Sequence, residues 1–69
     1  MNVYLLRNIF WRWVIVNVGE PHLAWTGARW APHRDGVQEV ESLFQFYDRE
    51  DAAECARADG FQVVAERAA

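Results

Sequence analysis

The hydrophobic positions of this chain change period twice, and the changes divide it into elements. From Trp11 to Val18 all residues but Arg12 and Asn17 are β-branched or aromatic, which suits a pleated strand. Alternation sets Trp11, Trp13 and Ile15 on one face and Arg12, Val14, Val16 and Val18 on the other. Both faces are apolar, so this strand is expected to be central. Gly19-Glu20-Pro21 supplies a turn, and His22 to Trp30 reads as the next strand, paired with the first as a hairpin. Gly27 inside it suggests a bulge or the close approach of another backbone. Ala31 to Gln38 reads as a loop: Pro32 ends the preceding strand, and Asp35-Gly36 is a turn signal. Alternation returns from Glu39 to Tyr47, with Val40, Ser42, Phe44 and Phe46 facing the core.

At Asp48 the period becomes helical. Ala52, Cys55 and Ala56 recur at i, i+3 and i+4 as a small-residue face, and Arg49, Glu50, Glu54, Arg57 and Ala58 face outward. Asp48 is a suitable N-cap, Glu50 and Asp51 suit the first turn, and Gly60 is the expected stop. A helix over about 48–59 follows. Phe61 to Glu66 then reads as a last strand. It can lie parallel to the strand before the helix through a right-handed crossover. The tail Arg67-Ala68-Ala69 is expected to fray. Val3 to Phe10 is ambiguous: an edge strand, the first half of a strand continuing through Val18, or a helical turn. The fold class expected is α+β, in one domain spanning 1–69. Its sheet is an antiparallel one of three to five strands with one α-helix packed on one face, in the order (β)ββ-β-α-β.

Composition sharpens this picture. A chain of 69 residues buries only about 60% of its unfolded surface. Four Trp, four Phe and two Tyr compensate, because each can bury on the order of 150–250 Å². Either a thin core uses these large side chains, or some are exposed as a contact surface. The single cysteine, Cys55, excludes an internal disulfide and points to a reducing compartment. The apolar start is interrupted by Arg7 and Arg12, too short for a bilayer span or a secretory signal. A cytoplasmic location is expected, in a host cytoplasm if the chain is phage-encoded.

Charge is asymmetric within a net −3: residues 1–34 hold four arginines against one acid, and residues 35–69 hold three against nine. Seven acids fall between Glu39 and Asp59. If Glu39 and Glu41 lie near the helix start, they form with Asp48, Glu50, Asp51 and Glu54 a negative patch. Such a patch can steer onto a basic, nucleic-acid-binding surface of another protein. The plain alternative is a solvated helix face.

Little else carries chemistry. Cys55, His22 and His33 lack the spacing of a zinc site, so no metal or cofactor is expected. Cys55 on an inner helix face reads as packing, and the carboxylate pairs lie on exposed faces without a pocket. No enzymatic activity is expected. Trp11, Trp13, Trp25, Arg29 and Trp30 form a possible second contact face. Through it the chain could join a larger assembly as a structural or regulatory subunit, or stack single-stranded bases. Direct nucleic-acid binding is disfavoured by the net negative charge.

The segments Trp25-Thr26-Gly27-Ala28-Arg29-Trp30 and Phe46-Tyr47-Asp48-Arg49-Glu50-Asp51-Ala52 … Ala56 … Gly60-Phe61 resemble a pattern of small phage and prophage accessory proteins. In these a hairpin with a Trp-Gly-x-x-Trp-like turn precedes Phe-x-x-x-Glu-x-Ala-x-x-x-Ala-x-x-x-Gly. The strand-helix-strand alone also resembles the C-terminal part of the accessory complex I subunit family. Anti-CRISPR and other anti-defence inhibitors are one class of small phage protein. The resemblance implies a non-enzymatic, protein-binding inhibitor whose acidic face blocks a CRISPR–Cas or other nucleic-acid-binding complex as a DNA mimic. A spare sheet edge leaves a homodimer open, and no membrane partner is expected.

Overall fold

The computed structural model describes residues 1–38 and 44–68. It is an α+β fold: a five-stranded mixed sheet with one helix on one face and a small two-stranded hairpin on the other. The strands are β1 (Asn2–Arg7), β2 (Trp13–Asn17), β3 (Ala24–Trp25), β4 (Trp30–Ala31), β5 (His33–Arg34), β6 (Val37–Gln38) and β7 (Gln62–Ala68), with helix α1 (Arg49–Ala58) before the last. The large sheet runs β4-β3-β2-β1-β7. All its pairs are antiparallel except β1 with β7, which is parallel.

That parallel pair corrects the expected all-antiparallel sheet, and it also settles the ambiguous start of the chain. β1 is an interior strand, hydrogen-bonded to β2 on one side and β7 on the other. Its two faces are both covered, so Val3, Tyr4, Leu5 and Leu6 are all buried. Near-continuous apolar runs are what a doubly covered strand requires. β7 therefore lies beside β1, and it extends through Ala68 where fraying was expected.

The helix side of the sheet holds Val3, Leu5 and Ile15 against Ala52, Ala53 and Ala56. Three alanines let the helix axis approach closely. Ala53, which the helical pattern assigns to neither face, is buried, and Cys55 is half-buried at its margin. The opposite side holds Tyr4, Leu6, Val14, Val16, Ala24 and Ala31. The hairpin β5–β6 covers part of it.

The segment read as a loop over 31–38 is thus a two-residue hairpin, turned by Asp35 at φ 51° and Gly36 at φ 82°. Asp-Gly is the pair that such a turn favours. A Cβ on Gly36 would stand 3.1–3.2 Å from side-chain carbons of Asn8, Leu6 and Val14, so a side chain here would have to push them aside as well as take a positive φ.

The strand expected over 22–30 is two short strands joined by a tight turn, with Trp25 opposite Trp30. Gly27 breaks it at φ 95°. The ring of Phe44 occupies the space a Cβ would need, at 2.1 Å. A side chain, and not a neighbouring backbone, is what approaches this glycine. Of the strand expected over 39–47, residues 39–43 lie outside the described residues. In the part described, Phe46 forms an isolated antiparallel bridge with Trp13.

Candidate binding surface

The loop between β1 and β2 is a rigid apolar knuckle. At its base, Asn8 is only 3% exposed. Its side-chain Oδ1 accepts from the amides of Phe10 (2.9 Å) and Arg12 (3.1 Å), and its Nδ2 donates to the Gly36 carbonyl at 2.9 Å. The Asn8 amide donates to the Arg12 carbonyl at 2.8 Å, and the Trp11 amide donates to the Asn8 carbonyl at 3.1 Å. Trp11 takes φ 61° to close the turn, a backbone conformation that costs a bulky residue free energy.

This scaffolding turns three apolar side chains outward: Ile9 is 67% exposed, Phe10 58% and Trp11 67%. A folded chain ordinarily hides such residues together, so their clustering on one hydrogen-bonded loop makes it a candidate contact surface.

The knuckle continues onto the start of the helix. Trp13 and Phe46 exchange backbone hydrogen bonds of 2.7 and 3.0 Å, which sets Tyr47 beside the loop. Arg12 lies 3.8 Å from the Tyr47 ring centroid, donates to its hydroxyl at 2.6 Å, and donates to the Phe10 carbonyl at 2.9 Å. Arg7 stacks on Trp11 at 4.2 Å. Cation–π contacts at exposed sites are worth about 0.5–1 kcal/mol each. Here they hold the rings in place. Asp48, the N-cap, follows Tyr47 directly.

The acids expected to form a patch are distributed unevenly. Asp48, Glu50, Asp51 and Glu54 are exposed on or beside the helix, whereas Glu39 and Glu41 lie outside the described residues. Glu50 pairs with Arg49, which also bonds Glu66 of β7, so part of the negative charge is compensated within the fold.

The Trp/Arg set is likewise divided. Trp11 stands on the knuckle. Trp25 and Trp30 pack with Phe61 at centroid separations of 5.0–5.3 Å. With Trp13, they are half-buried at the border of the helix-side core. Trp25 Nε1 also donates to Asp59 at 2.8 Å. Arg29 sits in the exposed turn, where its amide donates to Thr26 Oγ1 and its carbonyl accepts from the Thr26 amide.

Sequence reasoning missed Ile9, Phe10 and Tyr47. The available signal was a run of three large apolar residues directly after an asparagine, a residue that favours turns.

The Cys55 thiol is pushed above its ordinary value, first by desolvation and then by the nearby Asp59 carboxylate. That makes it a poor nucleophile at neutral pH. Among the described residues no group of three His, Cys, Asp or Glu could hold a metal ion, and no helix is long and apolar enough to cross a membrane.

No protein-family model matches this chain, and neither a curated protein nor a solved structure matches it.

Proposed function

We propose that the chain is a non-enzymatic protein-binding module, with the knuckle of Ile9, Phe10 and Trp11 as its anchor and Tyr47 and the acidic helix start as its rim. The observation that carries this reading is the exposed Ile-Phe-Trp tip, fixed from below by a buried asparagine. Exposed Trp, Tyr and Arg are the residue types that dominate binding energy at interfaces, and a preorganised loop loses little conformational freedom on docking.

The partner's complementary surface is an apolar socket with basic groups facing Asp48, Glu50 and Asp51. In the inhibitor reading implied by the resemblance to anti-defence proteins, that socket lies on the nucleic-acid-binding face of a host defence complex. The location is then the cytoplasm.

Capture from a host lysate, followed by affinity measurement with the purified partner, tests this. Phe10→Ala/Trp11→Ala should weaken binding by about 100-fold or more while leaving the thermal melt nearly unchanged, since both side chains are exposed. Glu50→Lys/Asp51→Lys should weaken it further and slow association. Undiminished affinity in the knuckle variant would refute the anchor. Tight binding of single-stranded oligonucleotides that is lost in the same variant would replace the protein partner with a nucleic acid.

A further inference from the structure

The sheet face opposite the helix carries an open cleft of about 640 Å³, lined by Tyr4, Leu6, His22, His33, Arg34, Asp35, Arg67 and Ala68. Its size is in the range of small-molecule sites. Three parts of the chain build it. β1 supplies a floor of Tyr4 and Leu6, each only 7% exposed. The loop after β2 supplies His22, edge-on to Tyr4 at 6.3 Å and with its Nδ1 3.5 Å from the Tyr4 hydroxyl. The β5–β6 hairpin and β7 supply the remaining walls.

Arg34 and Arg67 line the cleft with, among the described residues, the carboxylate of Asp35. Arg34 already has an interaction within the fold, so Arg67 is the cation that bears on a ligand. Glu20 stands 3.5 Å from His22 Nε2. Arg67 lies 4.7 Å from the Tyr4 ring centroid, and no described carboxylate pairs with it. This occurs in a chain of net charge −3, whose other β7 charge, Glu66, is taken up by Arg49.

We propose that this cleft binds a small organic oxyanion, a phosphate- or carboxylate-bearing molecule. Arg67, held over the buried Tyr4 ring, is the principal anion contact, and the exposed His22 ring supplies surface for the rest of the ligand. A guanidinium is the side chain best shaped for a bidentate contact with either oxyanion. One already held over an aromatic ring has less freedom to lose on binding. The cleft is on the opposite sheet face from the helix, so it is a second site, separate from the knuckle surface.

Amide NMR titration tests the assignment. The probes are inorganic phosphate, adenosine monophosphate, adenosine and benzoate, at constant ionic strength near about 0.15 M to screen loose surface association. The expected result is saturable shifts confined to Tyr4, His22, Arg34 and Arg67 with adenosine monophosphate or benzoate, weaker ones with phosphate, and none with adenosine. Whichever of the phosphate and carboxylate probes saturates at lower concentration identifies the source of the oxyanion. Arg67→Gln should weaken binding about 10-fold or more, Arg67→Lys less, and Arg57→Gln on the outer helix face should leave it unchanged.

Absence of saturable shifts up to about 20 mM, a level at which even millimolar sites fill, would overturn the proposal. So would equal affinity in folded Arg67→Gln. If that variant is unfolded, the wild-type titration decides alone: shifts spread over the helix as well as the cleft would also overturn the site.

Discussion

Asn8→Ala is the sharpest test of the idea that the knuckle is built and not merely exposed. The side chain makes three hydrogen bonds from a buried position. Removing it leaves the Phe10 and Arg12 amides seeking water, which they can partly reach, at about 0.5–1 kcal/mol each. It also leaves the buried Gly36 carbonyl without its donor, at about 1–2 kcal/mol. The expected loss is about 3 kcal/mol, a large part of the roughly 3–10 kcal/mol that a chain of this size ordinarily has.

Urea denaturation followed by tryptophan fluorescence measures it. With a slope near 1 kcal/mol/M, the midpoint should fall by about 2 M or more. A companion Asn8→Asp variant keeps the acceptor oxygens but turns a carboxylate against the Gly36 carbonyl. It should keep the two amide contacts and lose only the bond to Gly36, for a loss of about 1–2 kcal/mol. A loss under about 1 kcal/mol in Asn8→Ala would refute the reasoning, because the loop would then hold itself without the asparagine.

Two further outcomes follow from the fold. Gly27→Ala should destabilise by about 1–3 kcal/mol, combining strain at positive φ with displacement of the Phe44 ring. In a Phe44→Ala background only the backbone part, about 1 kcal/mol, should remain. Equal losses in the two backgrounds, measured by denaturant midpoints, would show that the ring does not bear on Gly27.

Cys55 should alkylate more slowly in the folded protein than in urea at pH 8, because its raised pKa lowers the thiolate fraction. The same shift means the folded chain holds the thiol proton longer than the unfolded one. Its contribution to stability is present below the ordinary thiol value of 9.0 and is lost as pH climbs beyond it. Iodoacetamide kinetics and denaturation at pH 8 and 10 check both, and equal alkylation rates in the two states would count against the burial of Cys55.

The helix was legible because its signals are local: a cap residue, two acids, small residues at helical spacing and a glycine stop all lie within thirteen positions of one another. β2 was legible for the same reason, since β-branched residues declare themselves. β1 was not. Its apolar residues suit either strand or helix, and what makes it central is its pairing with β7, a contact between distant parts of the chain that no local pattern encodes.

Gly27 was recognised as a break, but the ring of Phe44 that it accommodates comes from across the fold. The tryptophans looked alike in sequence. Packing separates them: Trp13, Trp25 and Trp30 border the helix-side core, and Trp11, at positive φ, stands outside it. The acidic residues of the helix were legible as exposed, whereas the Arg49 bridge to Glu50 and Glu66, which tempers them, depends on β7 lying below the helix.

The parallel pairing of β1 with β7 also governs the order in which the fold can form. Asn2 lies opposite Gln62, and Arg7 opposite Ala68, so one side of β1, an interior strand, stays open until the last strand arrives. Hairpin contacts between β1 and β2 can form early at small loop-closure cost, but they leave an apolar strand with an unsatisfied edge. Completion waits on the strand pairing of longest sequence separation among the described residues. Folding is therefore expected to be slow for so short a chain, and the open edge of β1 is the point at which an incomplete molecule would pair with another.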